Sequence, residues 1–383
     1  MPFQTLVLSR RQLLQRASLI TAAAAVARPA WAQPGKSASS RSITVAQAVD
    51  FSQAQQDVSK DFLIGSRAAW QDINLRGGVR GRQVQHQALE TDGTPASLRT
   101  ALDSVKDNPS CVVLSGSVGD QVASQIVALS MQGGLNIPHA APWLQNSSLE
   151  IDDKTFPIFA ARQEQIAYAL KSLTAMGLKE LGAIYATAQD YAAYHTDVER
   201  IAAGMQLKLQ AFRAAGDLRA LGQKLTPKTP AVLLFVGGTP ELAEFTQGME
   251  KQARQRYIVA LADVNLQTML QMGAGRNTPV IATQPVPLVN ASLPVVRSYR
   301  ETLARLFDEP PTPLSLAGFI AARYTYEVLN DVEGALNRAS VLSAFQRRTN
   351  LNVGGFAVSF NPQRRSGTYV TQSMMTVDGR LIG

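Results

Sequence analysis

Short β-branched segments alternate with helical patterns along most of this 383-residue chain. Ile43–Val49 and Gln83–Leu89 have the pattern of strands, and Val58–Asn74 and Ser97–Lys106 have the pattern of helices. Parallel strands need a long crossover, usually a helix, because the chain must return to the same end of the sheet. The alternation therefore predicts an α/β fold with mostly parallel sheets built from βαβ units.

The alternation continues in two series, with a break near Pro157. The remaining elements are predicted as strands at Cys111–Leu114, Leu135–Ile137, Leu181–Tyr185, Lys208–Phe212, Ala231–Val236, Tyr257–Leu261 and Val280–Thr283, and as helices at Asp120–Gln132, Gln163–Met176, Tyr191–Ala203, Glu241–Ala253, Leu293–Phe307 and Ser315–Glu333. Two successive open α/β units predict two lobes. A ligand crevice is then expected between the lobes, at the carboxyl ends of the strands.

Residues 1–32 have the three parts of a cleavable export signal. A charged front with Arg10 and Arg11 is followed by a small apolar stretch, Ala17–Ala27, and by an A-x-A exit that ends at Ala32. We expect cleavage after Ala32, a disordered leader at 33–41 and a periplasmic protein. The adjacent arginines favour the twin-arginine export route, and the general secretory route is the alternative.

Charge and cysteine content exclude several classes of protein. Four of the eight net positive charges lie within residues 1–32, so the rest of the chain carries only +4. No run of Lys or Arg interleaved with aromatic residues occurs, which argues against a nucleic-acid partner. The one cysteine, Cys111, lies in an apolar run typical of a core strand, and a single cysteine forms no intramolecular disulfide.

The sequence also lacks the motifs of an enzyme. His86, His139 and His195 stand far apart without metal-ligand spacing, so no metal site is expected. Phosphate-binding and dinucleotide-binding glycine fingerprints and the G-x-S-x-G nucleophile motif are absent, so no cofactor is expected. These absences favour a binding protein over an enzyme.

Several segments together resemble a known family. They are Asp72-Ile73-Asn74, Arg76–Val79, Gly81-Arg82, Thr91–Pro95, Gly116–Gly119, Gly134-Leu135, Asp190-Tyr191, Gly237–Glu241, Gly354–Phe356, Val358–Pro362 and Gly367–Val370. Their order and spacing resemble the branched-chain amino-acid-binding proteins of ABC importers, which have the type I periplasmic binding fold. The resemblance covers essentially the whole chain after the signal.

The resemblance implies an α/β architecture of two Rossmann-like lobes with mostly parallel sheets, joined by three hinge crossings. Lobe 1 is expected at 42–157 plus 285–369, and lobe 2 at 158–284 plus 370–383. The hinges then fall at Phe156-Pro157, Gln284-Pro285 and the region of Tyr369.

The resemblance also implies the function. The chain is expected to bind an amino acid or a related small polar or aromatic solute by lobe closure, as a monomer, and to deliver it to the permease subunits of an ABC importer in the inner membrane. The alternative is an exported sensor that presents its ligand to a membrane signalling protein.

Three residues of one loop are candidate ligand contacts in lobe 1. In the family, this loop binds the ligand carboxylate through backbone N–H groups and a hydroxyl at a helix N-terminus, as helix geometry favours. Ser117 and Gly119 fit that role. Asp120 stands where the family has a small hydroxyl residue, so it either caps the helix or receives a cationic or donor-rich ligand.

The remaining candidates come from both lobes. In lobe 1, Ala141 matches a backbone contributor, and Trp143 either stacks on the ligand or packs between the lobes. In lobe 2, Tyr191 matches the ligand-stacking tyrosine of the family, with a solvent-facing ring as the alternative. Thr239 follows a strand and offers a hydroxyl, and Asp263 lies near the position of the acid that holds an α-amino group. Ser52 and Gln53 are candidate rim contacts.

Overall fold

The computed structural model describes residues 42–146, 149–214, 216–275, 277–347, 350–359 and 367–383. The predicted signal at 1–32 and the predicted leader at 33–41 lie outside the described residues, as do Phe360-Asn361-Pro362 of the resemblance. Within the described part of the chain, no helix is both long and apolar enough to cross a membrane.

The first sheet is parallel throughout, in the order β2-β1-β3-β4-β5. Its strands and the first helices are β1 (Ile43–Asp50), α1 (Gln56–Leu75), β2 (Val84–Thr91), α2 (Pro95–Lys106), β3 (Cys111–Ser115), α3 (Asp120–Met131), β4 (His139–Ala140) and β5 (Thr155–Phe156). Every residue of β1 is buried, because hydrophobic clusters cover both faces of the sheet. This explains the nearly continuous apolar pattern of its sequence.

The second sheet has seven strands, in the order β14-β13-β10-β9-β8-β6-β7. The elements of this half and of the C-terminal part are α4 (Arg162–Ala175), β6 (Glu180–Tyr185), α5 (Ala188–Gly204), β7 (Lys208–Arg213), α6 (Leu218–Gln223), β8 (Val232–Val236), α7 (Thr239–Met249), β9 (Tyr257–Ala260), α8 (Leu266–Gln271), β10 (Val280–Gln284), α9 (Pro294–Leu306), α10 (Pro313–Asn330), α11 (Arg338–Arg347), β11 (Asn350–Val353), β12 (Phe356–Ser359), β13 (Thr371–Met375) and β14 (Leu381–Ile382). Among the described strands of this sheet, the pairs β10–β13 and β13–β14 are antiparallel and the others are parallel. The predicted α/β class with mostly parallel sheets is confirmed.

The chain passes between the two sheets three times. It leaves the first sheet after β5, leaves the second after β10 for the helices α9–α11, and returns at β13. Helices α9 and α10 pack on α1, beside the first sheet. The lobe boundaries placed within these passages stay a prediction.

The predicted strand at Leu135–Ile137 is wrong. The residues that pair with β3 are His139 and Ala140, opposite Leu114 and Ser115. Proline lacks an N–H, and Pro138 contributes only its carbonyl, which accepts from the Leu114 N–H at 2.8 Å. Leu135 and Ile137 are apolar because they fill the core beside α2 and α3.

The Asp72-Ile73-Asn74 segment stabilises the fold. Asp72 is buried, its Oδ1 accepts from Arg305 on α9 at 2.5 Å, and its Oδ2 forms an ion pair with Arg76 at 2.9 Å. Asn74 both donates to the Val84 carbonyl and accepts from the Val84 N–H, each at 2.8 Å, as a neighbouring strand would. The segment therefore fixes the end of α1 to the start of β2.

Helices α1 and α10 cross with their backbones in direct contact. A Cβ atom on Gly65 would lie 1.7 Å from the Ser315 carbonyl oxygen, and one on Gly318 would lie 1.9 Å from the Phe62 carbonyl oxygen. No side chain fits at either position, so the crossing requires both glycines.

Replacing Gly65 by Ala should lower the free energy of unfolding by about 3 kcal/mol, because the added methyl collides with backbone that cannot move aside. Gly204→Ala at the end of α5 is the matched control: its Cβ meets no atom within 4 Å, and we expect a change below about 1 kcal/mol. Urea unfolding followed by circular dichroism measures both. Equal effects of the two substitutions would refute the tight crossing.

Candidate functional site

A polar cleft of about 320 Å³ lies at the carboxyl ends of strands from both sheets. The charged side chains among the described residues that line it are one guanidinium and five carboxylates: Arg162, Asp50, Asp120, Asp190, Glu241 and Asp263. The cleft is therefore strongly acidic, although the chain as a whole is basic.

The guanidinium of Arg162 is paired with Asp263. Arg162 is the first residue of α4, Asp263 follows β9, and their Nη2 and Oδ2 atoms are 2.5 Å apart. Trp143 donates its indole N–H to the other oxygen of Asp263 at 3.1 Å. Burial lowers the pKa of Arg162, but the neighbouring carboxylates more than offset this and raise it above its ordinary value. Arg162 is therefore a permanent cation whose charge is balanced by Asp263.

Asp120 joins the two sides of the cleft. Its Oδ1 accepts the backbone N–H groups of Gln145 and Asn146, at 2.8 and 3.0 Å, and its Oδ2 accepts the Tyr194 hydroxyl of α5 at 2.6 Å. Burial raises the pKa of Tyr194, so this hydroxyl stays protonated and donates. The guanidinium of Arg162 lies 4.1 Å above the Tyr194 ring, in a cation–π contact. Asp120 holds a loop and a neighbouring helix, and it does not cap its own helix.

Asp190 and Glu241 line the cleft from the first turns of α5 and α7. Burial raises the pKa of both carboxyl groups. The charge of Asp190 raises the pKa of Glu241 further, and the hydroxyl of Thr187, which donates to Asp190 at 2.7 Å, acts in the opposite direction on Asp190. Oε2 of Glu241 has no hydrogen-bond partner among the described residues.

Asp50 ends β1 and is fully buried at the wall of the cleft. Its Oδ1 accepts the Ser52 N–H at 2.9 Å, and its Oδ2 has no partner among the described residues. Gly119, with a φ of 98°, packs against it: a Cβ there would lie 2.4 Å from the Asp50 Cβ. The glycine predicted to admit a ligand instead makes room for a carboxylate.

Of the eight predicted site residues, Asp120 and Asp263 line the cleft. Ser117, Ala141, Trp143 and Thr239 are buried and do not line it. The Trp143 ring packs edge-on against Phe62 and Phe159, with ring centroids 5.7 and 5.3 Å away. The Thr239 hydroxyl accepts the Asn265 N–H at 2.9 Å.

Tyr191 also does not line the cleft, whereas Tyr194, one turn further along α5, does. The Tyr191 ring stacks on His195, with centroids 4.3 Å apart, and the Arg213 guanidinium covers it at 3.3 Å from the ring centroid. Ser52 lines the cleft, and Gln53 does not.

Sequence reasoning missed the acidic character of the cleft. Asp50 ends its strand, and Asp190 and Glu241 each come five residues after the last residue of β6 and β8. Carboxyl ends of parallel strands meet at one edge, so an acid at the end of β1 and two acids in equivalent positions after β6 and β8 were a usable signal. Arg162 and Tyr194 gave no comparable signal, because their partners are distant in sequence.

Replacing Asp263 by Asn should lower the free energy of unfolding by about 3 kcal/mol, because the buried Arg162 loses its counter-charge while Trp143 keeps an acceptor. Glu180→Gln, which breaks an exposed pair with Lys208, is the control and should cost less than about 1 kcal/mol. Chemical unfolding at neutral pH measures the difference. A loss no larger than that of the control would mean that solvent compensates Arg162.

The chain is similar to known binding proteins in sequence and in structure. The periplasmic binding protein family matches residues 42–377. No curated protein sequence gives a significant match. Among solved structures, an extracellular ligand-binding receptor from Verminephrobacter eiseniae superimposes with a TM-score of 0.81 at 17% identity, over 90% of this chain and 100% of that one.

Two further structures extend the likeness. A substrate-binding periplasmic protein from Ralstonia solanacearum gives a TM-score of 0.78 at 20% identity, covering 89% of this chain and 99% of that one. The branched-chain amino acid transporter substrate-binding protein of Streptococcus pneumoniae, in complex with isoleucine, gives a TM-score of 0.73 at 15% identity. The superposition covers 90% of this chain and 98% of that one. At such identities the likeness establishes the fold, which is the predicted type I periplasmic binding fold. The expectation of a binding protein rather than an enzyme is confirmed by the family. The chain belongs to the periplasmic binding protein family.

Proposed function

We propose that this protein is the periplasmic substrate-binding component of an ABC importer and that it binds a small polar solute, such as an amino acid or a relative of one, in the cleft. The observation that carries the proposal is that polar groups from both sides of the cleft meet across it. Tyr194 donates to Asp120 at 2.6 Å across the cleft. Outside the cleft lining, Asn265 after β9 donates to Asp61 on α1 at 2.8 Å.

Contacts of this kind fit a receptor that closes on its ligand. A solute that touches both sides binds the closed arrangement better than the open one, and so shifts the population toward closure. The two moving bodies are the lobes proposed at 42–157 plus 285–369 and at 158–284 plus 370–383. The permease subunits are proposed to bind the closed form, and the binding protein acts as a monomer.

We propose Asp120 and Asp263 as ligand-facing residues. Ser117, Gly119, Ala141, Trp143 and Thr239 lie behind the cleft wall, where they position these acids and their loops. Tyr191 is proposed to act only through the helix that carries Tyr194.

The alternative function, an exported sensor, differs in its membrane partner and not in its cleft. Deletion of the gene separates the two. Loss of uptake of the radiolabelled solute supports the importer, whereas unchanged uptake with loss of a transcriptional response supports the sensor.

Binding can be tested with the protein stripped of solute by unfolding and refolding, screened against amino acids, amides, aromatic acids, amines and dicarboxylates. A solute at about 100 times its dissociation constant adds roughly 2.7 kcal/mol of stability, which raises the melting temperature by several degrees. The same solute should reduce the radius of gyration in small-angle X-ray scattering. Absence of both effects for every solute would refute the proposal.

We also propose export by the twin-arginine route. The double substitution Arg10→Lys and Arg11→Lys keeps the charge and should leave the protein in the cytoplasm. The reason is that the export receptor recognises the arginine side chains and not their charge alone. The single substitution Arg16→Lys is the control and should leave export intact. Normal export of the double variant, measured by cell fractionation, would favour the general secretory route.

A further inference from the structure

The acidic cleft has no free cation among its described lining residues. Arg162 is the one basic side chain there, and its charge is engaged by Asp263 at 2.5 Å and by the face of the Tyr194 ring. Asp50, Asp120, Asp190 and Glu241 are then left without a basic partner in the lining. A cavity lined by charges of one sign concentrates ligands of the opposite sign.

Two carboxylate oxygens in this cleft lack a donor among the described residues. One is Oδ2 of Asp50, whose residue is fully buried, and the other is Oε2 of Glu241. A buried acceptor without a hydrogen bond is costly, and a carboxylate is satisfied best by a charged N–H donor. The two oxygens come from opposite sides of the cleft, since Asp50 ends β1 and Glu241 begins α7.

Glu241 lies where the two sides approach each other. A Cβ on Gly238 would lie 2.8 Å from Oε2 of Glu241 and 3.9 Å from the carbonyl oxygen of Ala54, which belongs to the loop after β1. A short ligand with a hydrogen-bond donor at each end therefore has one acceptor on the α7 side, Glu241, and another on the side of the loop after β1, the Ala54 carbonyl.

The loop expected to hold a ligand carboxylate is not free to do so. The N–H groups of Gly116 and Val118 donate to the carbonyls of Ala140 and Ala48, both at 2.9 Å. Ser117 does not line the cleft, and Asp120 places a negative charge at the N-terminus of α3. A carboxylate ligand would meet the carboxylates of Asp50 and Asp120 at this end of the cleft.

We propose that the cleft binds a solute with at least one cationic amine or guanidine group and no free carboxylate, held by Asp50 from the first-sheet side and by Glu241 from the second-sheet side. The proposal rests on the solute-binding function above and narrows its ligand class to relatives of amino acids that lack the carboxylate. It distinguishes this chain from a receptor for α-amino acids, because the five carboxylates of the cleft would repel the carboxylate of an amino acid.

The test is isothermal titration of the solute-free protein with compounds matched in length and different in charge: 1,5-diaminopentane, 5-aminopentanoate and glutarate. The pairs agmatine with arginine and 1,5-diaminopentane with lysine differ by one carboxylate. We expect each amine without a carboxylate to bind about tenfold or more tightly than its carboxylate-bearing partner, the equivalent of one charged hydrogen bond.

Asp50→Asn and Glu241→Gln should each weaken binding of the tightest amine by about tenfold or more, because each keeps its shape and loses its charge. Glu244→Gln, one turn along α7 and outside the cleft lining, is the control and should bind as the unchanged protein does. Melting temperatures without ligand verify that the variants fold.

Preference for 5-aminopentanoate, glutarate, arginine or lysine over the amines would overturn the inference and leave the solute-binding function intact. Equal effects of Glu241→Gln and Glu244→Gln would also overturn it. Binding by no compound here, together with stabilisation by some other class in the wider screen, would refute the cationic substrate class alone. Failure of every class in that screen would refute the binding function itself.

Discussion

The buried pair of Arg162 and Asp263 is the interaction on which the cleft depends. Removing two charges from water is expensive, and only close geometry with further hydrogen bonds compensates for it. Here the compensation forms a closed ring: Trp143 donates to Asp263, Asp263 binds Arg162, Arg162 lies on Tyr194, Tyr194 donates to Asp120, and Asp120 accepts from the loop that carries Trp143. Each member orients the next, so the ring sets the positions of the side chains that form the walls of the cleft.

The chemistry of the cleft follows from where parallel strands end. In both sheets the residues just after the strands converge on one edge, and the fold places that edge at the crevice. Solved structures share this fold at identities of 13–20%, so the scaffold tolerates extensive change of sequence. In this chain those positions carry Asp50, Asp190, Glu241 and Asp263. The fold thus determines where the ligand is recognised, and a few residues at or after the strand ends determine the sign of the charge in the cleft.

The fold class was predictable because periodicity and β-branched runs are local signals. The strand at Cys111–Ser115 and the helix at Asp120–Met131 fall within one residue of their predicted bounds. The prediction of a strand at Leu135–Ile137 was wrong because burial in the core makes a segment apolar whether or not it forms a strand. The site was less predictable, because Tyr194 and Arg162 gain their meaning from Asp120 and Asp263, which are 74 and 101 residues away. Contacts between residues so far apart along the chain produce no periodic pattern in a single sequence.

The order of the elements has a consequence for how this chain acquires its structure. Helix α1 needs α10, more than 200 residues later, and β10 needs β13, which begins at Thr371. The layer of the first sheet therefore lacks part of its cover until α10 has been synthesised, and the second sheet lacks two strands until β13 and β14 follow. Contacts of such long sequence separation form slowly. Until they form, apolar strands such as β1 remain partly uncovered, and the growing chain is exposed to aggregation.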